Sequence, residues 1–240
     1  MNPVDTRSVN GPERLWAVVP AKRLAHAKSR LMPLLSSDER RMLAGAMLAD
    51  VLSALTRARC LAGVIVVTSE RKLVAIARSA GAIVVNDDDA STENAAVAVG
   101  AARVAGMGQG GMLVIPADVP LITVEDVEAI VGAHRAAPSL TLVPAIGDGG
   151  TNAFACSPPL AVACRFGEDS LRAHLDGARA AGIGAAVVRL PRVGLDLDRP
   201  DDLAAFLVRS SPTRSYTYLL SSGIARRVRD MDCCRASVVG

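Results

Sequence analysis

Leu15-Trp16-Ala17-Val18-Val19-Pro20-Ala21-Lys22 is the first stretch of this chain with a regular pattern. Its apolar run has no polar alternation, which is the signature of a strand covered on both faces. It stops at a proline and passes directly into a basic loop. The same unit recurs: Val64-Ile65-Val66-Val67, Ile83-Val84-Val85 and Met112-Leu113-Val114-Ile115 are further unbroken apolar runs, separated by segments of helical period. Ser36 with Glu39 forms a capping box ahead of Leu43, Met47, Val51 and Leu55, which share one helical stripe. Helices are expected at 70–79, closed by Gly81, at 94–104 and, capped by Thr123 with Asp126, up to His134. Strands at 140–144 and 152–156 flank the loop Gly147-Asp148-Gly149-Gly150. A helix at 170–180, a strand at 186–190 and a helix at 200–208 complete the pattern. Repeated strand–helix units with short connections predict an α/β fold of three layers, around a doubly wound, mainly parallel sheet.

The domain is expected to run from 15 to 209, after a polar extension at 1–14. From 210 to 240 the periodicity stops, and the segment reads as a tail dispensable for catalysis. With half the residues apolar the chain is not disordered. Net charge is only +3, too weak to indicate nucleic acid or a membrane surface. No run is long and apolar enough to span a bilayer, and the N-terminus does not resemble a secretory signal, so the cytoplasm is the expected compartment. Five cysteines with no Cys-x-x-Cys pair suggest neither a zinc site nor a disulfide framework. A homodimer stays open.

In open α/β sheets ligands bind beyond the carboxyl ends of the strands, so the segments that follow strands carry the chemistry. The chain has 24 arginines and three lysines, and two of the lysines, Lys22 and Lys28, lie in the loop after the first strand together with Arg30. Lysine supplies a compact, mobile charge, suited to a phosphate chain. Asp118, in Pro116-Ala117-Asp118-Val119-Pro120-Leu121, follows an apolar strand and is placed to hold Mg²⁺, a hard ion that takes oxygen ligands. Asp196 and Asp198 flank Leu197, and side chains two apart in an extended segment share a side. Asp198 also precedes Pro200 and two acids, where a helix N-cap is a competing role. The loop 147–150 with Thr151 and Asn152 has the make-up of an anion nest, and Phe166-Gly167-Glu168-Asp169-Ser170 opens a helix where a second phosphate could sit. His174 lies one turn after Ser170, on the same face. His26 and His134 receive no role.

These segments together resemble the 2-phospho-L-lactate guanylyltransferases of coenzyme F420 biosynthesis, relatives of the molybdenum-cofactor nucleotidyltransferases. The matching stretches are VPAKRLAHAKSRL at 19–31, the helix start at Asn94, PADVPL at 116–121, GGTNAF at 149–154, FGEDSLRAH at 166–174 and LDLDRPDDL at 195–203. The resemblance implies a Rossmann-like fold of the nucleotide-diphospho-sugar-transferase type. It implies Lys22, Lys28 and Arg30 on the GTP phosphates; Asn94, at the matched helix start, is expected beside them as a nucleotide contact, and Lys22, Lys28 and Asp118 as catalytic. It further implies Asp118, Asp196 and Asp198 on Mg²⁺, and Thr151, Gly167 and Ser170 on the phosphate of a small phosphorylated acid, where the reading of the residues adds Asn152 and His174 as expected contacts. Acceptors in that family are 2-phospho-L-lactate, phosphoenolpyruvate or 3-phospho-D-glycerate. Glu93 stands where the family usually has leucine, and a carboxylate there could accept a hydrogen bond from the free hydroxyl of 3-phosphoglycerate. Alternatives are a nucleotidyltransferase with a molybdopterin or sugar-phosphate acceptor, and a non-catalytic nucleotide-binding subunit. A dinucleotide oxidoreductase is disfavoured because Pro-Ala-Lys, not a glycine fingerprint, follows the first strand.

Overall fold

The computed structural model describes residues 14–21, 28–87 and 92–238. Seven strands form one sheet in the order β3-β2-β1-β4-β6-β5-β7. They are β1 (Trp16–Pro20), β2 (Gly63–Val67), β3 (Ile83–Val85), β4 (Met112–Val114), β5 (Ser139–Pro144), β6 (Thr151–Ser157) and β7 (Gly184–Val187). β1 pairs in parallel with both β2 and β4, and β2 with β3, as the unbroken apolar runs predict. The chain leaves β1 toward β2 and β3 on one side, then returns to β4 on the other. The crevice between β1 and β4 is therefore the topological switch point.

β6 runs antiparallel to β4 and to β5, with Val114 opposite Phe154. Its reversed direction has a specific effect. The first residues of β6, Thr151 and Asn152, lie at the sheet edge where β1 and β4 end. β7 begins two residues earlier than the apolar pattern suggests, because as a largely exposed edge strand it needs little apolar surface.

Alternate side chains of the strands supply two faces. Ala17, Val19, Val66, Leu113 and Ile115 pack with α1 (Ser37–Arg57), α2 (Arg71–Ser79) and α4 (Val124–Ala133). Val18, Ile65, Val67 and Val114 pack with α3 (Glu93–Gly106) and α5 (Ser170–Ala180). α3 approaches so closely that a Cβ on Gly100 would lie 2.4 Å from the Val18 side chain. The capping boxes at Ser36/Glu39 and Thr123/Asp126 are both formed.

The segment after 210 departs from its expected reading as a tail. It forms α7 (Arg214–Ser221) and α8 (Ile224–Val238), following α6 (Pro200–Leu207). Leu219, Ile224 and Val228 close a third apolar cluster with Leu31, Leu43, Met47, Leu197 and Phe206. Asp50, buried in the middle of α1, accepts hydrogen bonds from the N–H groups of Arg214 and Ser215 and from the Ser215 hydroxyl, 2.6–2.9 Å long. A carboxylate at a helix N-terminus meets the positive end of its dipole. Arg227 of α8 donates to the Leu34 carbonyl at 2.8 Å and pairs with Glu39. The periodicity was hidden because α7 is only two turns long and α8 is rich in arginine.

Burying Leu219, Ile224 and Val228 is worth about 1.5–3 kcal/mol each, comparable in sum to a typical domain's whole stability. Truncation after Ser210 is therefore expected to give insoluble protein, or protein without a cooperative thermal transition. A soluble, cooperatively melting truncate would return the segment to the status of a tail.

Candidate active site

The loop after β4 places Asp118 beyond the strand end, anchored by the fully buried Val119. The backbone N–H of Leu197 donates to the Asp118 carbonyl at 3.0 Å, tying the Asp196–Asp198 segment to that loop. One oxygen from each of Asp118, Asp196 and Asp198 lies within 4.8 Å of the others. The Lys28 ammonium lies against two of the three, 2.5 Å from Asp118 Oδ2 and 2.5 Å from Asp198 Oδ1. Lys28 has left-handed backbone (φ 55°), an uncommon conformation for a non-glycine residue, and its side chain is 9% exposed. The short 3-10 turn that follows, Ser29–Leu31, is pinned by buried Leu31. Arg30 stands further off, 4.0 Å from Asp198 and 3.9 Å from Glu168.

Crowding sets the protonation of these groups. Burial pushes the Asp196 carboxyl up to about 6, and the neighbouring Asp118 charge adds to the effect. Asn152, almost fully buried, counters it by donating from Nδ2 to Asp196 Oδ1 at 3.0 Å while also holding the Val193 carbonyl. Burial alone would lower Lys28, but the flanking Asp118 and Asp198 carboxylates more than offset it and hold the ammonium charged. Burial would likewise raise Asp198, and the Lys28 ammonium reverses that. The competing N-cap role for Asp198 does not hold: Arg199 takes that position, and Asp202 Oδ2 accepts from the N–H groups of Asp198 and Arg199. Asp198 is left to face the cluster.

The donor set fits a hard divalent cation. Three carboxylates converge, and Asp118 Oδ1 is buried without a hydrogen-bond partner among the described residues, an unusual state for a carboxylate oxygen.

A second cluster stands beside the first. Gly147 and Gly149 take positive φ, and Asp148 closes the turn by accepting from the Gly150 N–H at 2.8 Å. The Gly149 carbonyl accepts from Leu171 N–H at 3.0 Å, joining the glycine loop to the start of α5. A side chain on Gly149 would meet Asp169. Thr151, Ser170 and His174 meet in this cradle: Ser170 Oγ donates to Thr151 Oγ1 at 3.3 Å, and His174 Nδ1 lies 3.1 Å from the same oxygen.

Two expected ligand contacts change character. His174 is wholly buried with both ring nitrogens engaged, so it does not reach a substrate directly. The Asn94 amide is occupied by the backbone of Phe166, donating to its carbonyl at 3.3 Å and accepting from its N–H at 2.8 Å. Asn94 thus secures the loop carrying Gly167, whose φ is 136°. Glu93 is half-buried and close enough to Cys164 to add to the rise of that thiol's pKa, so it faces the strand-to-helix segment before Phe166. Lys22 and His26 lie outside the described residues. His134 bonds Thr141 and Ser157 across the α4–β5 side of the sheet.

Sequence reasoning gave no role to Asp202, or to Ser69 and Asp87. Among the described residues Ser69 Oγ and Asp87 Oδ1 are buried without hydrogen-bond partners, two residues beyond the paired Val67 and Val85, at the ligand edge of β2 and β3. Polar residues that simply end strands leave no period or motif from which to read this.

A nucleotidyltransferase-type fold and a carboxylate–lysine site define the class. A protein from Desulfovibrio desulfuricans G20 described as a nucleotide-diphospho-sugar transferase shares the fold, with a TM-score of 0.73 over 92% of this chain and 98% of the other at 16% identity. Residues 15–239 match the CofC-like guanylyl transferases, and the chain belongs to that family of nucleotidyltransferase enzymes. The phosphoenolpyruvate guanylyltransferase of Conexibacter woesei is 35% identical over 79% of this chain and 86% of its own length. The 3-phospho-D-glycerate guanylyltransferase of Colwellia psychrerythraea is 34% identical over 81% and 92%.

Because its pKa is raised in the fold, Asp196 contributes full stability only below the unfolded carboxylate value of about 4, and that contribution is lost as pH rises through about 6. In metal-free protein at pH 7.5, Asp196→Asn should raise the unfolding free energy by about 1–3 kcal/mol, with the gain gone near pH 4. Denaturant titration at both pH values measures this, and a gain that persists at pH 4 would remove charge crowding as the cause.

Proposed function

We propose that this enzyme moves GMP from GTP onto the phosphate of a three-carbon phospho-acid, releasing pyrophosphate, in coenzyme F420 biosynthesis. The observation that carries the reading is the juxtaposition, at the switch point, of a carboxylate–ammonium cluster with a glycine–hydroxyl cradle. One suits the phosphate chain of a nucleotide, the other a second phosphate. Relatives of matching length are named for such acceptors.

In this reading Asp118, Asp196 and Asp198 hold Mg²⁺, which when bound supplies positive charge to the phosphate oxygens. Lys28 and Arg30 face the nucleotide phosphates and offset charge developing on the leaving pyrophosphate. Thr151 aligns the acceptor phosphate, with the Ser170 hydroxyl donating to Thr151 from behind, and one phosphate oxygen attacks the α-phosphorus as the bond to pyrophosphate breaks. That phosphate is already ionised near neutrality, with a second pKa of about 6. No general base is required, and buried His174 is not placed to be one. The carboxylate oxygen of Asp87 that has no hydrogen-bond partner among the described residues suits a guanine edge, which offers ring and exocyclic N–H donors.

The acceptor is assigned as 3-phospho-D-glycerate, on the strength of Glu93. A carboxylate at the start of α3 offers a hydrogen-bond acceptor to a hydroxyl that phosphoenolpyruvate and 2-phospho-L-lactate lack, and a site arranged around that pair favours the acid that supplies it.

Asp118→Asn is expected to cut kcat by about a thousandfold or more, followed by pyrophosphate release, while the variant still melts cooperatively. Competition among the three acids should favour 3-phosphoglycerate in the parent and lose that preference in Glu93→Leu. Indifference of the parent to 3-phosphoglycerate, or an unchanged preference in the variant, overturns the assignment while leaving the transfer chemistry standing.

A further inference from the structure

His174 sits too deep to touch any substrate, yet its hydrogen bonds are more constrained than packing requires. The ring is held between Phe154 and Phe166, with centroids 4.9 and 5.6 Å away. Its Nε2 lies 2.8 Å from the backbone nitrogen of Arg165, which can only donate. Nε2 must therefore carry the lone pair. The ring proton resides on Nδ1, and Nδ1–H donates to Thr151 Oγ1 at 3.1 Å. Burial, aided by the Arg165 charge, pushes the imidazole down to about 4, consistent with a neutral ring.

The consequence falls on Thr151. A threonine hydroxyl has two acceptor positions and one proton. His174 Nδ1–H fills one acceptor position and the Ser170 hydroxyl fills the other. With both lone pairs occupied, the Thr151 hydroxyl can act outward only as a donor. A hydroxyl fixed as a donor is preorganised for an anion and turned against a neutral donor group.

We infer that His174 is a positioning residue which, by holding its Nδ1–H on Thr151, makes Thr151 an obligate donor to the acceptor's phosphate. The inference rests on the proposed transfer to a phospho-acid for its ligand, but the tautomer and the direction of the hydrogen bonds do not. A purely structural histidine would stabilise the fold without acting through one hydroxyl.

Measurements on the full chain test it. In protein labelled with ¹⁵N-histidine, the two-bond proton–nitrogen pattern of His174 should show a protonated Nδ1 and an unprotonated Nε2 at pH 7.5. A protonated Nε2 overturns the inference. His174→Phe keeps an aromatic ring between Phe154 and Phe166 and removes both hydrogen bonds. It should raise KM for the phospho-acid about 10- to 100-fold while KM for GTP stays within about two-fold. In a Thr151→Val background the same substitution should add nothing, because the hydroxyl it serves is gone. An equal penalty in both backgrounds, or a parallel rise in both KM values, means His174 acts on the fold at large and overturns the inference. If His174→Phe does not fold, His174→Asn replaces it: its amide retains a donor near the Nδ1 position, so its KM penalty should be smaller than that of Thr151→Val, and an equal or larger one overturns the inference. Failure of the parent to use any of the three acids would instead count against the proposed function. Calorimetric binding of inorganic phosphate, compared across the same variants, then decides the inference: weakening that depends on Thr151 upholds it, and weakening that is independent of Thr151 overturns it.

Discussion

The contact between the Lys28 ammonium and the carboxylates of Asp118 and Asp198 is the constraint around which this molecule is arranged. Three acids within 4.8 Å at the end of a buried sheet repel one another in a medium that screens poorly. Lys28 relieves two of them and leaves Asp196 to the weaker help of the Asn152 amide. Each supporting feature keeps the charges near one another despite that repulsion. Buried Val119 and Leu197 bracket the two acidic segments, the Leu197 N–H ties them together, and Asp202 holds the backbone from behind. The arrangement is crowded electrostatically and held by backbone hydrogen bonds on either side, and such a set of oxygens fits a hard divalent cation.

The reversed strand β6 connects this cluster to the second one. Were β6 parallel to β4, Thr151 and Asn152 would lie at the far edge of the sheet. Antiparallel pairing brings both back to the working edge, where Asn152 serves the acids and Thr151 serves the cradle. One dipeptide thus spans the two halves of the site. The glycines at 147 and 149 let the chain turn tightly enough to start β6 there.

The apolar runs at 15–19, 64–67 and 112–115 made the parallel half of the sheet legible, since a strand buried on both faces has no other way to be written. Asp118 was legible as an acid at the end of an apolar run, where it has no packing role, and Asp196 and Asp198 by their spacing about Leu197; the structure brings one oxygen of each within 4.8 Å of the others. Other features left weaker traces. The antiparallel direction of β6 depends on which neighbour it meets, and nothing local in Thr151–Ser157 encodes that. His174 and Asn94 read as polar residues near a site, but their actual partners are backbone groups of Arg165 and Phe166, which side-chain patterns do not mark. The helices after 210 were obscured by arginines whose stems cover apolar surface while their charged ends reach acids such as Glu39.

The attachment of α8 also ties the lysine of the site to a part of the chain that takes no part in the sheet. Arg227 holds the Leu34 carbonyl and Glu39, and so steadies the turn that leads back to Lys28. It comes after every strand in the chain. Loosening α8 would therefore reach the ammonium that neutralises the acids while leaving in place the strands that present them.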